Sequence, residues 1–279
     1  MEPQLEKIRE VQKDAWNKSS AGWKKWDDMT MNFMKPTGDE IIRSLHLKNT
    51  DTVLDIATGT GEPGLTMATQ LTHGKVIATD LAEEMLAIAA ENAAKRNIKN
   101  FETRCCEVSA LPFEDNTFDA VSCRFGFNLF PDMQLALNEM VRVLKPGGRI
   151  ATGVWGAAEK NSWIATSMST MISMLQLKPP APGAPGIFRC AEEGLMAGLF
   201  AKAGLKNITQ EEVAGKLLCS TIDLYWSFIT ETSSPVAFFK ADEALKLQIK
   251  EEILGKVKQK NPAVNIALDS SAIVICGEK

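Results

Sequence analysis

The chain is short of several residue types, and each shortage removes a class of function. Among 279 residues there are two histidines, His46 and His73, and one tyrosine, Tyr225. A histidine-ligated metal or a histidine base therefore has few candidates. The six cysteines (Cys105, Cys106, Cys123, Cys190, Cys219 and Cys276) include no C-x-x-C pair and no histidine at ligand spacing. They read as reduced, mostly buried thiols, and no metal is expected. No apolar run approaches the ~20 residues of a membrane span. The N-terminal MEPQLEKIREVQKDAW is charged throughout and lacks an apolar signal core, so a cytoplasmic protein is expected. A formal net charge of −4 offers no basic footprint, which argues against a nucleic-acid partner.

What is present is an ordinary globular composition, 45% hydrophobic and 24% charged, with a regular alternation. Thr52–Ala57, Lys75–Asp80, Phe101–Cys106, Phe118–Cys123 and Arg149–Val154 are short apolar runs that read as buried parallel strands. Between them lie helical patterns at 63–71, 82–96 and 134–144, and two more helices are expected at 4–20 and 36–47, the second introduced by Pro36. Five such alternations predict an α/β fold, an open parallel sheet with helices on both faces. The rhythm breaks at 156–190, resumes with a helix at 191–203 and a strand at 205–213, breaks again at 216–265, and closes on a strand at 271–276. Interruptions of that length are expected as helical caps over the sheet.

The glycine-rich stretch Asp55-Ile-Ala-Thr-Gly-Thr-Gly-Glu-Pro-Gly64 spells G-x-G-x-x-G, usually a dinucleotide turn. Asp80 follows Gly59 by 80 − 59 = 21 residues, the place of a ribose-binding acid. Asp55 and Glu62 fit a pyrophosphate poorly, because like charges at low dielectric repel. S-adenosylmethionine presents the same ribose but carries an ammonium and a sulfonium, which welcome both acids.

The combination resembles the class I S-adenosylmethionine-dependent methyltransferases. Val53–Gly61 is similar to their first motif, Asp80 to the acid of their second, Leu111–Val121 to the segment entering strand four, and Met140–Arg149 to the turn before strand five. Within that class the chain is most similar to the ubiquinone/menaquinone C-methyltransferase-like (type 11) group. The resemblance implies a Rossmann-like, seven-stranded, mostly parallel sheet with an antiparallel last strand. It implies an N-terminal helical lid at 1–45, a cofactor core at 46–155 continued at 191–215, caps at 156–190 and 216–265, and a final core strand at 266–279.

The resemblance also implies site residues. Asp55, Ala57, Thr58, Gly59 and Gly61 would flank the methionine moiety, and Asp80 would hold the ribose. Leu81, Met85, Glu107 and Val108 would surround the adenine, with Trp26 in the lid. Arg124 would border methionine and acceptor. Tyr225, Arg124 and Asn128 are the candidates for the chemistry itself. The quinone enzymes carry an Arg-Asn pair after Phe-Gly where this chain has Asn128-Leu129, a departure that bears on the acceptor.

Residues such as Met31, Met34, Trp23, Trp163, Met171, Phe188, Trp226 and Phe228 predict a small, largely apolar acceptor beneath the caps, although ordinary core packing uses the same residue types. An apolar cap is also what a homodimer interface would present. Two other functions are compatible with the motifs: an NAD(P)-dependent oxidoreductase, and a non-catalytic S-adenosylmethionine-binding partner protein.

Overall fold

The computed structural model describes residues 2–178, 181, 183–261 and 265–279. Its frame is one seven-stranded sheet in the order β3-β2-β1-β4-β5-β7-β6. The strands are β1 (Thr52–Ile56), β2 (Lys75–Asp80), β3 (Phe101–Cys105), β4 (Phe118–Arg124), β5 (Leu144–Trp155), β6 (Lys206–Cys219) and β7 (Ile266–Glu278). The first five pair in parallel, and β7 runs antiparallel between β5 and β6. Val53, Leu54 and Ile56 are fully or almost fully buried, as a central strand covered on both faces requires. The chain reverses direction across the sheet between β1 and β4, which opens a crevice at their C-terminal ends.

Helices α3 (Gly64–Gln70) and α4 (Glu83–Lys95) cover one face, where Leu65, Met67 and Ala89 are buried, and α5 (Met133–Val143) with α7 (Leu195–Lys202) covers the other through Leu137, Met140 and Phe200. A third apolar cluster lies above the sheet. It joins α6 (Ser162–Met174), α8 (Ile222–Thr232) and α10 (Glu243–Lys260) around Trp163, Phe228 and Ile253, and α9 (Val236–Lys240) adds Phe238.

The N-terminal segment differs from expectation. It forms α1 (Glu2–Lys25) and α2 (Asp27–Leu45), and α2 runs through Pro36 instead of starting there. Proline removes one helical hydrogen bond. Phe33, Met34, Thr37, Ile41 and Leu45 nevertheless bury one face of α2 at helical spacing, and that burial outweighs the lost bond. Ile41 and Leu45 pack on the sheet while Phe33 and Met34 belong to the cap cluster. Part of the segment expected as lid is therefore core. Likewise β6 continues to Cys219, four residues into the segment expected as the second cap.

Asn161 ties the first cap to the sheet. It is fully buried, its amide donates to the carbonyls of Ala157 (3.0 Å) and Ser271 (3.0 Å), and its Oδ1 accepts from the Ser271 amide (3.1 Å) and the Trp163 indole (3.1 Å). Asn161→Ala would orphan several buried groups, and a loss of about 3 kcal/mol is expected in guanidinium unfolding. A loss below about 1 kcal/mol would contradict this role.

Candidate active site

A cavity of about 380 Å³ occupies the crevice beyond β1, β2 and β4. Its floor is the glycine loop. Ala57 and Gly59 both take positive φ, 52° and 57°, which costs Gly59 nothing but strains Ala57 by about 1–2 kcal/mol. The turn aims the Gly59 N–H at Asp80 Oδ2 (2.9 Å), while the Ala82 N–H donates to Oδ1 (2.9 Å). Burial pushes the Asp80 carboxyl above its ordinary pKa, and these backbone donors oppose that shift. A carboxylate has about four acceptor sites. The Gly59 and Ala82 donors, with the Leu81 N–H also near, occupy part of that capacity and leave room for a vicinal diol. Leu81, Met85, Glu107 and Val108 line the same end. Glu107 accepts from the Ser109 hydroxyl (2.8 Å) and stands 3.5 Å from the Arg9 guanidinium of α1.

The three glycines do different work. Gly59 faces the cavity. A Cβ at Gly61 would come within 2.7 Å of Leu65, and one at Gly64 within 2.8 Å of Asp55 Oδ2, so these two permit close loop–helix packing. Asp55 itself is 0% exposed and absent from the cavity wall. Its carboxylate accepts from the Ser122 hydroxyl (2.5 Å) and the Thr58 hydroxyl (2.6 Å). Asp55 therefore braces the loop from beneath, and the expectation that it flanks a ligand directly is corrected; Gly61 likewise lies behind the wall.

The β4 side supplies Arg124, Phe125 and Asn128. Arg124 donates to the Met31 thioether (3.4 Å), and among the described residues no carboxylate lies within 4 Å of it. Burial lowers its pKa, opposed by the charges of Glu62, Asp55 and Asp27. The Asn128 amide nitrogen donates to the Ile187 carbonyl, and its buried Oδ1 has no partner among the described residues. Beyond them the wall is aromatic. Phe125 stacks on Trp155 with centroids 4.0 Å apart, and Trp155 abuts Trp163 at 4.9 Å. Met34, Met168 and Phe228 complete this compartment.

Two further expectations fail on geometry. Tyr225 is fully buried in the cap, where its hydroxyl donates to the Trp163 carbonyl (3.1 Å) and burial pushes its pKa to about 12. It does not reach the cavity and is not a candidate base. Trp26 also lies outside the wall, its indole donating to Glu231 (2.9 Å) and its ring set edge-on to Phe228. The N-terminal segment contributes instead Gln12, Trp16 and Trp23 of α1 and Thr30, Met31 and Met34 of α2. Trp16 was missed, although positions 12, 16 and 23 share one helical face. The thiols are mostly buried as expected: Cys123, Cys190, Cys219 and Cys276 are buried, while Cys105 is exposed and Cys106 lines the cavity. His46 and His73 are exposed and outside the cavity wall.

Burial pushes the Asp55 carboxyl up to about 6, with the Ser122 and Thr58 hydroxyls holding it back. The folded chain then binds more protons than the unfolded one between about pH 4 and 6, so this group's contribution to stability falls as pH rises through that window. Asp55→Asn should remove the fall. Wild type is expected to lose roughly 3 kcal/mol relative to the variant between pH 4 and 7 in guanidinium unfolding. Parallel stability profiles would refute the burial argument.

Residues 53–148 match the family model described as a methyltransferase domain. The chain is similar to a demethylmenaquinone methyltransferase of Thermus thermophilus, 45% identical over 35% of this chain and 44% of that protein. A demethylmenaquinone methyltransferase of Bacillus cereus is 33% identical over 49% and 54%, respectively. The chain thus spans about half the length of the curated relatives it matches. Among solved structures, an S-adenosylmethionine-dependent methyltransferase from Aquifex aeolicus aligns with a TM-score of 0.54 at 26% identity, covering 70% of this chain and 92% of that one. Residues 53–148 thus form a methyltransferase domain, set in a sheet of order β3-β2-β1-β4-β5-β7-β6.

Proposed function

We propose that the protein is an S-adenosylmethionine-dependent methyltransferase whose acceptor is a small, largely apolar molecule. The observation that carries this reading is the joining of two unlike compartments in one cavity. One end offers the backbone-held Asp80 carboxylate, suited to a ribose, with Leu81, Met85, Glu107 and Val108 placed for an adenine. The other end is walled by Phe125, Trp155, Trp163 and methionines. Ala57, Thr58 and Gly59 lie between them, where a methionine chain would pass. A bound S-adenosylmethionine would supply an electrophilic methyl group. The chain's own part is to align the acceptor with that methyl and keep water out.

Among the described residues, no histidine or tyrosine lines the cavity. The polar groups lining the acceptor side include Arg124, Asn128, Thr232 and Ser233, so the reaction proposed is a direct displacement governed mainly by positioning, with Arg124 and Asn128 touching the acceptor. The matched relatives named for demethylmenaquinone bring a quinone-like ring into the proposal, and the apolar walls suit one. The Asn128-Leu129 departure makes other flat apolar acceptors equally worth testing. The reading includes a cytoplasmic site of action and no nucleic-acid partner. Among the described residues no helix is long and apolar enough to cross a membrane.

The test is methyl transfer from labelled S-adenosylmethionine to a panel of apolar ring acceptors that includes a reduced demethylnaphthoquinone, with NAD binding measured in parallel. Acceptor-dependent S-adenosylhomocysteine release and no NAD binding are expected. Tight NAD binding would favour the oxidoreductase, and cofactor binding with no transfer to any acceptor would favour a silent binding protein. Tyr225→Phe should keep turnover within about twofold and cost about 1 kcal/mol of stability, the worth of one buried hydrogen bond. A tenfold loss of turnover in a folded variant would restore Tyr225 to the chemistry.

A further inference from the structure

The cofactor proposed above ends in an α-amino acid, and the present inference rests on that reading. Its ammonium carries three N–H donors and needs acceptors. Asp55, the acid expected to meet it, is enclosed and already accepts two hydroxyl hydrogen bonds. The corner beyond the glycine loop is supplied differently. Thr60 and Thr30 line the cavity at 2% and 1% exposure, and neither hydroxyl has a hydrogen-bond partner among the described residues.

Asp27, the first residue of α2, brings a carboxylate to the same corner. Its Oδ2 accepts from Asn92 Nδ2 (3.1 Å), and that nitrogen also donates to the Thr60 carbonyl (3.0 Å). Its Oδ1 is buried and has no donor in hydrogen-bond geometry. The Thr60 hydroxyl is near enough to pull the Asp27 pKa down, but burial is the larger influence and raises it. Asp27 is not on the wall of the main cavity; it lines an adjoining cleft that shares Met31 and Glu62 with it, and whose lysines and arginine pair with Glu91, Glu231 and Glu62. The Asp27 Oδ1 and the Thr60 and Thr30 hydroxyls, none in full hydrogen-bond geometry with another described residue, mark this corner as a place for a polyvalent donor. Arg124, also at this end and without a carboxylate within 4 Å among the described residues, supplies the opposite charge that an amino-acid carboxylate requires.

We propose that Asp27 of the N-terminal segment receives the cofactor's α-ammonium, with the Thr60 hydroxyl beside it, so that the junction of α1 and α2 closes the methionine end of the site. Loop-only recognition would not need Asp27. A mere latch between Asp27 and Asn92 would hold the lid over any adenosine, whatever its tail.

Calorimetric titration separates these cases. S-adenosylhomocysteine and 5′-methylthioadenosine, which has no amino-acid tail, are titrated into wild type, Asp27→Asn and Thr60→Val. Asp27→Asn is expected to weaken S-adenosylhomocysteine at least tenfold and methylthioadenosine less than twofold. Thr60→Val should act in the same sense, about threefold. Unchanged S-adenosylhomocysteine affinity in a folded Asp27→Asn protein would overturn the proposal, as would equal weakening of both ligands. Failure of wild type to bind either ligand would overturn the cofactor reading itself, and this inference with it.

Discussion

The hydrogen bond from the Gly59 N–H to Asp80 is the contact on which the rest of the site depends. It joins the turn after β1 to the end of β2, and so fixes the distance between the floor of the cavity and the Asp80 carboxylate. The bond depends on positive φ at Ala57 and Gly59, free for the glycine and strained for the alanine. It is held from below by Asp55, whose hydroxyl partners come from β4 and from the loop itself. Parallel pairing of β1 with both β2 and β4 brings these three strand ends together. The sheet thus serves the cavity directly, by placing a carboxylate, a turn and an arginine around one opening.

Above this floor the cavity is roofed by two unlike parts. The cap helices contribute a rigid aromatic wall, in which Trp155, at the end of β5, meets Phe125 and Trp163. The α1 helix contributes a face of Gln12, Trp16 and Trp23, edged by ion pairs from Arg9, Lys13 and Lys24 to Glu107, Glu83 and Glu91. The pairs of Lys13 and Lys24 are exposed and contribute little stability, whereas the buried Arg9 also donates to the Ser109 hydroxyl (3.0 Å) and Gln12 donates to the Leu129 carbonyl (2.6 Å). The α2 helix joins both parts, since one end packs on the sheet and the other in the cap cluster. A ligand touching the α1–α2 junction therefore acts on the sheet and the roof together.

Much of this was legible in the sequence where the signal is local. The strands of the sheet, the glycine turn, Asp80 at its spacing and Arg124 at the end of β4 all follow from short apolar runs and motif positions. Other parts depend on packing between distant segments. Pro36 looked like a helix start because proline often is one; burial of Phe33 through Leu45 overrides it. Tyr225 and Trp26 were attractive for their chemistry, yet the cap uses both as internal hydrogen-bond donors. Asp55 carried the charge argument against a pyrophosphate, and its enclosure weakens that argument; the matched methyltransferase domain now bears more of the weight. Asp27 had no motif to announce it, because its partners Asn92 and Thr60 come from other segments of the chain.

The central claim is that this cavity seats an adenosine at Asp80 and turns a reactive sulfur toward the aromatic compartment. The most direct test is a crystal structure of the protein grown with S-adenosylhomocysteine. The account predicts both ribose hydroxyls within hydrogen-bond distance of the Asp80 carboxylate and the thioether sulfur facing the Phe125–Trp155 wall. Ligand bound elsewhere, or a ribose out of reach of Asp80, would contradict it.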